Sequence, residues 1–270
     1  VKLAVNYSKE ALALRESGAI PIDLLKCALF EEWIDVAQRS GPIYVHFPLG
    51  TTPNGVVNFD HPQLHLDWIL ALLESTESAY LNLHIKILPE HAQGRDSVDD
   101  LLQFCVGCIE ELAHSVDASR IIIENTVARA DYSSSYAMMT LGPFFSRLVQ
   151  ETGCGLLLDS AHLSISCAEL GLDFREEVMK FPLHELGEWH ICGTGIKPGR
   201  DVLFDSMAMR DEDWEITAFV AALIRSGRAR LPEIVAIEYG GIGDKFEWRS
   251  ESDEIHKECV AVRQMLDLIR

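Results

Sequence analysis

The chain has 270 residues, 48% of them hydrophobic, and a formal net charge of −19. That length suits one α/β barrel with a sizeable core. The charge argues against DNA or RNA as the main partner, because an acidic surface repels phosphates. No apolar run approaches the length that spans a bilayer. These features predict a soluble, cytoplasmic protein acting on a small-molecule or peptide substrate, with a homo-oligomer or a partner protein compatible with either. The first residue is Val1, as in a trimmed or processed chain. Seven scattered cysteines fit a reducing compartment without a disulfide framework. Cys105 and Cys108, one helical turn apart, read as packing residues.

Short apolar runs alternate with amphipathic stretches along the whole chain. The predicted strands are Leu3–Val5, Ile22–Leu25, Ile43–Val45, Ala79–Leu83, Ile121–Ile123, Leu156–Leu158, Glu188–Ile191 and Ile234–Ile237. The predicted helices cover Glu10–Glu16, Leu29–Arg39, Gln63–Ser75, Val98–Ser115, Tyr136–Thr152, Phe174–Lys180, Glu212–Ser226 and Asp253–Ile269. Eight strand–helix units predict a single closed (β/α)8 TIM barrel, one domain over residues 1–270. No G-x-G-x-x-G follows the first strand, which disfavours a dinucleotide-binding sheet. Segments entering strands are short, whereas those leaving them, such as Pro48–Pro62 and Gly193–Asp211, are long and polar. A barrel builds its binding face from such loops.

The strand ends carry the chemistry. The first two predicted strands lead into Asn6 and Lys26, the third into His46 and the fourth into His84. The fifth ends Glu124-Asn125 and the sixth in Asp159-Ser-Ala-His162. The seventh contains His190, and the eighth ends in Glu238. Asp159 can equally be read as the N-cap of a following helix with His162 in its first turn. Imidazoles and carboxylates gathered at one barrel mouth form a ligand set for divalent metals, which relieve their mutual repulsion. Glu124, central in the series, can bridge two ions. Cys192 shares a face with His190 and reads as a buried structural cysteine. His61, His65, His91, His114, His184 and His256 read as solvated or capping residues. Lys197 and Arg200, in the loop after the seventh strand, could receive an anionic group, as could Arg95 and Arg129.

The order His46, His84, Glu124-Asn125, Asp159-x-x-His162, His190-x-x-Gly193, Asp205 and Glu238 resembles the xylose isomerase-like TIM-barrel superfamily, which includes endonuclease IV and the sugar isomerases and epimerases. Within it, the pattern looks most like the multinuclear non-haem iron-dependent oxidative enzymes. That resemblance implies one ion on His46, His84 and Glu124, and a second on Glu124, Asp159, His190 and Glu238. A third would sit on His162 and Asp205, where the family commonly has Asp-x-His. Here that stretch reads Asp205-Ser206-Met207, and a thioether is a poor ligand for a hard ion. Two divalent ions of iron, zinc or manganese are therefore expected. Glu124, Glu238 and His162 are the catalytic candidates, and Asn125, Lys197 and Arg200 the substrate-binding ones. The same residues also resemble a single-metal sugar or sugar-phosphate isomerase or epimerase with Glu124 and Glu238 as bases. A hydrolase of phosphoesters other than DNA and a non-catalytic barrel are further alternatives.

Overall fold

A computed structural model describes residues 1–52, 55–58, 65–86, 94–129, 131–196, 202–243 and 249–269. Its strands are β1 (Lys2–Asn6), β2 (Leu24–Cys27), β3 (Ile43–Val45), β4 (Leu49–Thr52), β5 (Gly55–Asn58), β6 (Leu81–His84), β7 (Ile121–Glu124), β8 (Gly155–Asp159), β9 (Leu186–Ile191), β10 (Gly193–Ile196), β11 (Leu203–Met207) and β12 (Ile234–Ile237). The helices are α1 (Lys9–Glu16), α2 (Glu31–Ser40), α3 (Leu66–Ser75), α4 (Val98–Ala113), α5 (Ser134–Met138), α6 (Gly142–Thr152), α7 (Ser160–Leu170), α8 (Phe174–Val178), α9 (Asp211–Arg225) and α10 (Ser252–Asp267). Among the described residues no helix is long and apolar enough to cross a membrane.

The expected closed (β/α)8 barrel is not what forms. The main sheet runs β3-β2-β1-β12-β9-β8-β7-β6-β4-β5, parallel throughout except for the β4–β5 hairpin. It curls through 244° and stays open. Its edges are β3 and β5, and β3 exchanges no ladder with β6, the strand that a closed barrel would set beside it. The physical cause of the opening is local. β3 is only three residues long, and Pro48, just beyond it, has no N–H to offer a neighbour. Side chains take over the pairing there: Val45 N donates to Ser78 Oγ at 2.8 Å and Phe47 N to Asn82 Oδ1 at 3.4 Å. β4, inside the stretch expected to be loop, then pairs with β6.

Alternation along each strand divides the core in two. Leu3, Val5, Leu156, Leu158, Trp189, Ile191, Val235 and Ile237 pack outward under the helices. Ala4, Leu24, Tyr44, Ile234 and Ala236 form one inner cluster, and Tyr80, Ile122 and Leu157 another. Each fully buried aliphatic side chain is worth ~1.5–3 kcal/mol, so this two-sided burial holds the strand ends rigidly. Gly155 opens β8 because an added Cβ would lie 2.9 Å from Ile122 Cγ2. The predicted helix Tyr136–Thr152 is broken into α5 and α6 at Met139–Leu141, just before Gly142-Pro143, where proline cannot supply the N–H that a continuous helix needs. Helix α7, not predicted as an element, is N-capped by Asp159 and stopped by Gly171 at φ 67.

Candidate metal centre

Two residues per step along a strand return to the same face, so the inward row above the inner clusters reads Lys26, His46, His84, Glu124, Asp159, His190 and Glu238. The ladder sets their level, with His84 opposite Glu124 and Asp159 opposite His190. Glu124 sits at the middle. Its Oε2 is 3.0 Å from His84 Nε2 and 3.4 Å from His46 Nε2, and its Oε1 is 3.6 Å from His162 Nδ1 and 3.9 Å from His190 Nδ1. His190 Nδ1 lies 3.1 Å from Glu238 Oε1, and His162 Nε2 lies 3.3 Å from Asp205 Oδ2. Ligand atoms of His46, His84 and Glu124 fall within 4.8 Å of one another, as do those of Asp159, His190 and Glu238, and of Glu124, Asp159 and His162.

Hydrogen bonds behind these residues fix which atoms face inward. His84 Nδ1 is 2.9 Å from the Leu49 carbonyl and His162 Nδ1 is 2.8 Å from the Asn125 carbonyl. A carbonyl only accepts, so both rings donate from Nδ1 and present a lone pair at Nε2. His190 is reversed. Its Nε2 is 2.7 Å from Glu188 Oε1, which leaves Nδ1 to face Glu238 and Glu124. Glu188 in turn accepts from the Tyr44 hydroxyl at 2.9 Å and from Asn82 Nδ2 at 3.3 Å. Carboxylate backing of this kind orients metal-ligating histidines.

Both readings of Asp159 hold at once. Oδ1 accepts from His162 N at 2.7 Å and caps α7. Oδ2 is buried with no hydrogen-bond partner, as are Glu124 Oε2, His46 Nδ1 and His190 Nδ1. An unpaired buried polar atom costs ~1–3 kcal/mol. Such atoms concentrated around one point form the donor set that a bound cation would satisfy. The charge count agrees. Glu124, Asp159, Glu188, Asp205 and Glu238 converge against Lys26, whose Nζ bonds Glu238 Oε1, and Arg249, whose Nη1 donates to the Asp205 carbonyl at 2.7 Å. The residues present fit bound divalent ions.

Without an ion the electrostatics are strained. Burial lifts the Asp159 carboxyl to about 6, against the pull of His162. Burial also lifts Glu188 to about 7 despite Lys26 and the Tyr44 hydrogen bond. Burial keeps His46 and His190 well below the usual imidazole range, and nearby Lys26 adds to the effect. His162 goes the other way. Burial opposes its charge, but Asp159, Asp205 and Glu124 outweigh it and push the ring up to about 10. Asp205 is held below the usual carboxylate range because His162 outweighs its burial. Lys26 is lowered by burial against the surrounding carboxylates.

A cleft of about 350 Å³ opens onto this set. Tyr7, Trp33, Pro48 and Ile242 supply its apolar wall, while His46, His84, Glu124, His162, Asp205 and Glu238 line its polar side. All eight residues expected as metal ligands therefore meet in one place. Asn125 does not line the cleft. It is fully buried and clamps β8, with Nδ2 donating to Asp159 O and Oδ1 accepting from Asp159 N, both at 2.9 Å. Lys197 and Arg200 lie outside the described residues, as do His61 and His91. Arg129 is tied to the Leu203 carbonyl at 3.1 Å, and Arg95 stacks over Phe104. His65, His114, His184 and His256 are exposed.

Three contributors escaped the sequence reading. Glu188, two residues before His190 on the same strand face, could have been found by alternation alone. Lys26 was visible as a strand end, but nothing local shows that it binds Glu238. Cys192, which reads from sequence as a structural thiol, lies with Asp205 and Glu238 in another group whose ligand atoms fall within 4.8 Å. Met207 packs toward Gly195, where an added Cβ would be 3.3 Å from its Cγ.

Comparison with known proteins places this arrangement. The family described as RiPP precursor modification enzyme MbnB/TglH/ChrH matches residues 97–234, just over half of the chain. A UPF0276 protein of Chromobacterium violaceum is 29% identical over 156 residues, covering 56% of this chain and 55% of that protein. A UPF0276 protein of Bordetella pertussis is 34% identical over 108 residues, covering 38% of this chain and 37% of that one. The chain thus spans about half, or less, of the length of these curated relatives. Among solved structures, D-psicose 3-epimerase from Clostridium cellulolyticum superposes with a TM-score of 0.58 at 12% identity, covering all of both chains. A sugar phosphate isomerase/epimerase from Parabacteroides distasonis gives 0.54 at 11%, covering 97% of this chain and 98% of that one. These likenesses show the TIM-barrel-like fold. Together with the buried His/Asp/Glu cluster, the family match marks a metal-dependent enzyme.

Proposed function

Because this chain belongs to the MbnB/TglH/ChrH family of RiPP precursor modification enzymes, we propose that it modifies a peptide precursor by oxidation at a multinuclear iron centre. The observation that carries the reading is the division of Glu124, one oxygen facing His46 and His84 and the other facing His162 and His190. A carboxylate so placed suits a bridge between two ions. His46, His84 and Glu124 would hold the first ion, and Glu124, Asp159, His190 and Glu238 the second. Bound iron would supply Lewis acidity and one-electron redox chemistry.

The chain's own residues shape what reaches that centre. Tyr7, Trp33 and Ile242 give an apolar wall that excludes water from one side of the cleft and suits a peptide side chain. Lys26 holds Glu238 toward His190, and Asn125 holds Asp159 by both ends of its amide. His162 turns Nε2 to the cleft side, 3.3 Å from Asp205 Oδ2, where the ring can hold either a proton or an ion beside that carboxylate.

Metal content per chain, measured by elemental mass spectrometry on protein purified without chelator, tests the proposal. Two or more equivalents with iron are expected. Glu124→Ala should remove more metal than His162→Ala, because Glu124 faces both clusters. Equal losses would overturn the bridging assignment. A value near one equivalent of manganese, zinc or cobalt would favour a single-metal isomerase or epimerase instead.

A further inference from the structure

The strand pair β10–β11 is irregular where it meets the metal centre. Gly193 pairs with Met207 and Gly195 with Phe204, so Asp205 and Ser206 are bulged out opposite Thr194. Ser206 takes a left-handed φ of 56°, a conformation that a non-glycine residue adopts at a cost of ~1–3 kcal/mol. Bulges beside functional sites re-aim side chains, and this one does two things. It turns Asp205 to within 3.3 Å of His162 Nε2. It also aims the Ser206 N–H at Cys192 Sγ, 3.2 Å away. A peptide N–H donated to sulfur stabilises the anionic sulfur of a metal-bound cysteine and does little for a thiol packed in hydrocarbon.

Cys192 is not isolated. Its Sγ, an Asp205 oxygen and a Glu238 oxygen lie within 4.8 Å of one another. Glu238 also faces His190 Nδ1, which is fully buried, lacks a hydrogen-bond partner and stands 3.1 Å away. A second fully buried orphan, Asp159 Oδ2, lies 3.5 Å from His162 Nδ1 on the same side. Met207, where the resembling enzymes carry a histidine, packs toward Gly195 instead.

We propose that the Cys192 thiolate supplies the ligand that Met207 cannot at the third metal position that the family pattern implies on His162 and Asp205, beside Glu238, giving a sulfur-containing site suited to a borderline or soft divalent ion. The inference rests on the metal-centre reading above. Binding would replace the thiol proton by the metal ion and release that proton to solvent, with no redox change. Thiolate ligation selects softer ions than the oxygen and nitrogen donors of the other two positions.

The test is titration of chelator-treated full-length protein with cobalt(II), followed by absorption and by bound cobalt per chain. Thiolate ligation gives an intense near-ultraviolet sulfur-to-cobalt charge-transfer band that nitrogen and oxygen donors do not. The expected result is a band that Cys192→Ala abolishes together with about one equivalent of bound cobalt. Cys154→Ala, at the opposite end of β8, should change neither. Cys192→Ser serves if the alanine variant does not fold, and should also lose the band. A band that survives both Cys192 variants overturns the proposal. So does binding of two equivalents without any band, and either result leaves the two-ion centre standing. No cobalt binding at all would overturn both.

Discussion

Asp159→Asn separates the two roles that Asp159 plays at once. Asparagine keeps the cap, because its Oδ1 can still accept from His162 N, now 2.7 Å from Asp159 Oδ1. It removes only the charge at the orphaned Oδ2. In metal-free protein the carboxyl is raised from 3.8 to about 6 by burial. The folded state therefore binds its proton more tightly than the unfolded state, and ionisation destabilises the fold as pH rises through that window. About two units correspond to about 3 kcal/mol at pH 8, worth ~6 °C or more in Tm for a chain of this size. With chelator at pH 8, Asp159→Asn should thus melt higher than wild type. With metal the order should reverse: the ion already neutralises the carboxylate, and a hundredfold loss of affinity removes ~2.7 kcal/mol of linked stabilisation. Asp159→Ala, which also loses the cap, should lie ~1 kcal/mol below the asparagine variant in both conditions. Calorimetry with and without metal reads the crossing. If Asp159→Asn melts with wild type in both conditions and only Asp159→Ala destabilises, Asp159 is a cap and nothing more.

Glu188→Gln keeps an oxygen that accepts from His190 and Tyr44 but loses the negative charge behind the imidazole and the acceptor for Asn82 Nδ2. Metal affinity should fall ~10–100-fold with circular dichroism unchanged, and competition against a chromophoric chelator measures it; unchanged affinity would reduce Glu188 to packing. Glu258, fully buried with Oε1 accepting from Met209 N at 2.7 Å, is raised by burial to about 7 from 4.5. The stability tied to its protonated form is fully present below pH 4.5 and lost above pH 7, so Glu258→Gln should stabilise by about 3 kcal/mol at pH 8 and by nearly nothing at pH 4.5. Denaturant melts at the two pH values check this, and parallel curves would refute it.

The strands were legible because each is an uninterrupted apolar run, buried on both sides, that stops at a polar residue. Leu156-Leu-Leu158 shows why. Leu157 faces the inner cluster while Leu156 and Leu158 face the helices, so no alternation dilutes the signal. Closure was not legible. It depends on whether β3 and β6 meet, and two side chains 33 and 35 residues downstream, Ser78 and Asn82, take the β3 backbone donors. The β4–β5 and β10–β11 hairpins were hidden because four- and five-residue strands with glycine and threonine resemble polar loops.

The metal ligands were legible for a different reason. A carboxylate or imidazole ending a buried strand has no role in packing, so its presence in strand after strand demands a common purpose, and parallel strands bring their ends to one mouth. That logic reaches only residues at the tips. Glu188 sits one inward step below His190, where a buried acid reads as an error until Tyr44, Asn82 and His190 are seen around it. Lys26 looks like a misplaced charge until Glu238, more than two hundred residues away, is found on its ammonium. Cys192 reads as an ordinary buried thiol until a bulge on a neighbouring strand aims an amide at its sulfur. The second layer is defined by partners rather than by position, and each partner comes from a different strand. The tips can therefore be read from sequence in order, whereas the groups that orient them emerge only when the sheet has curled.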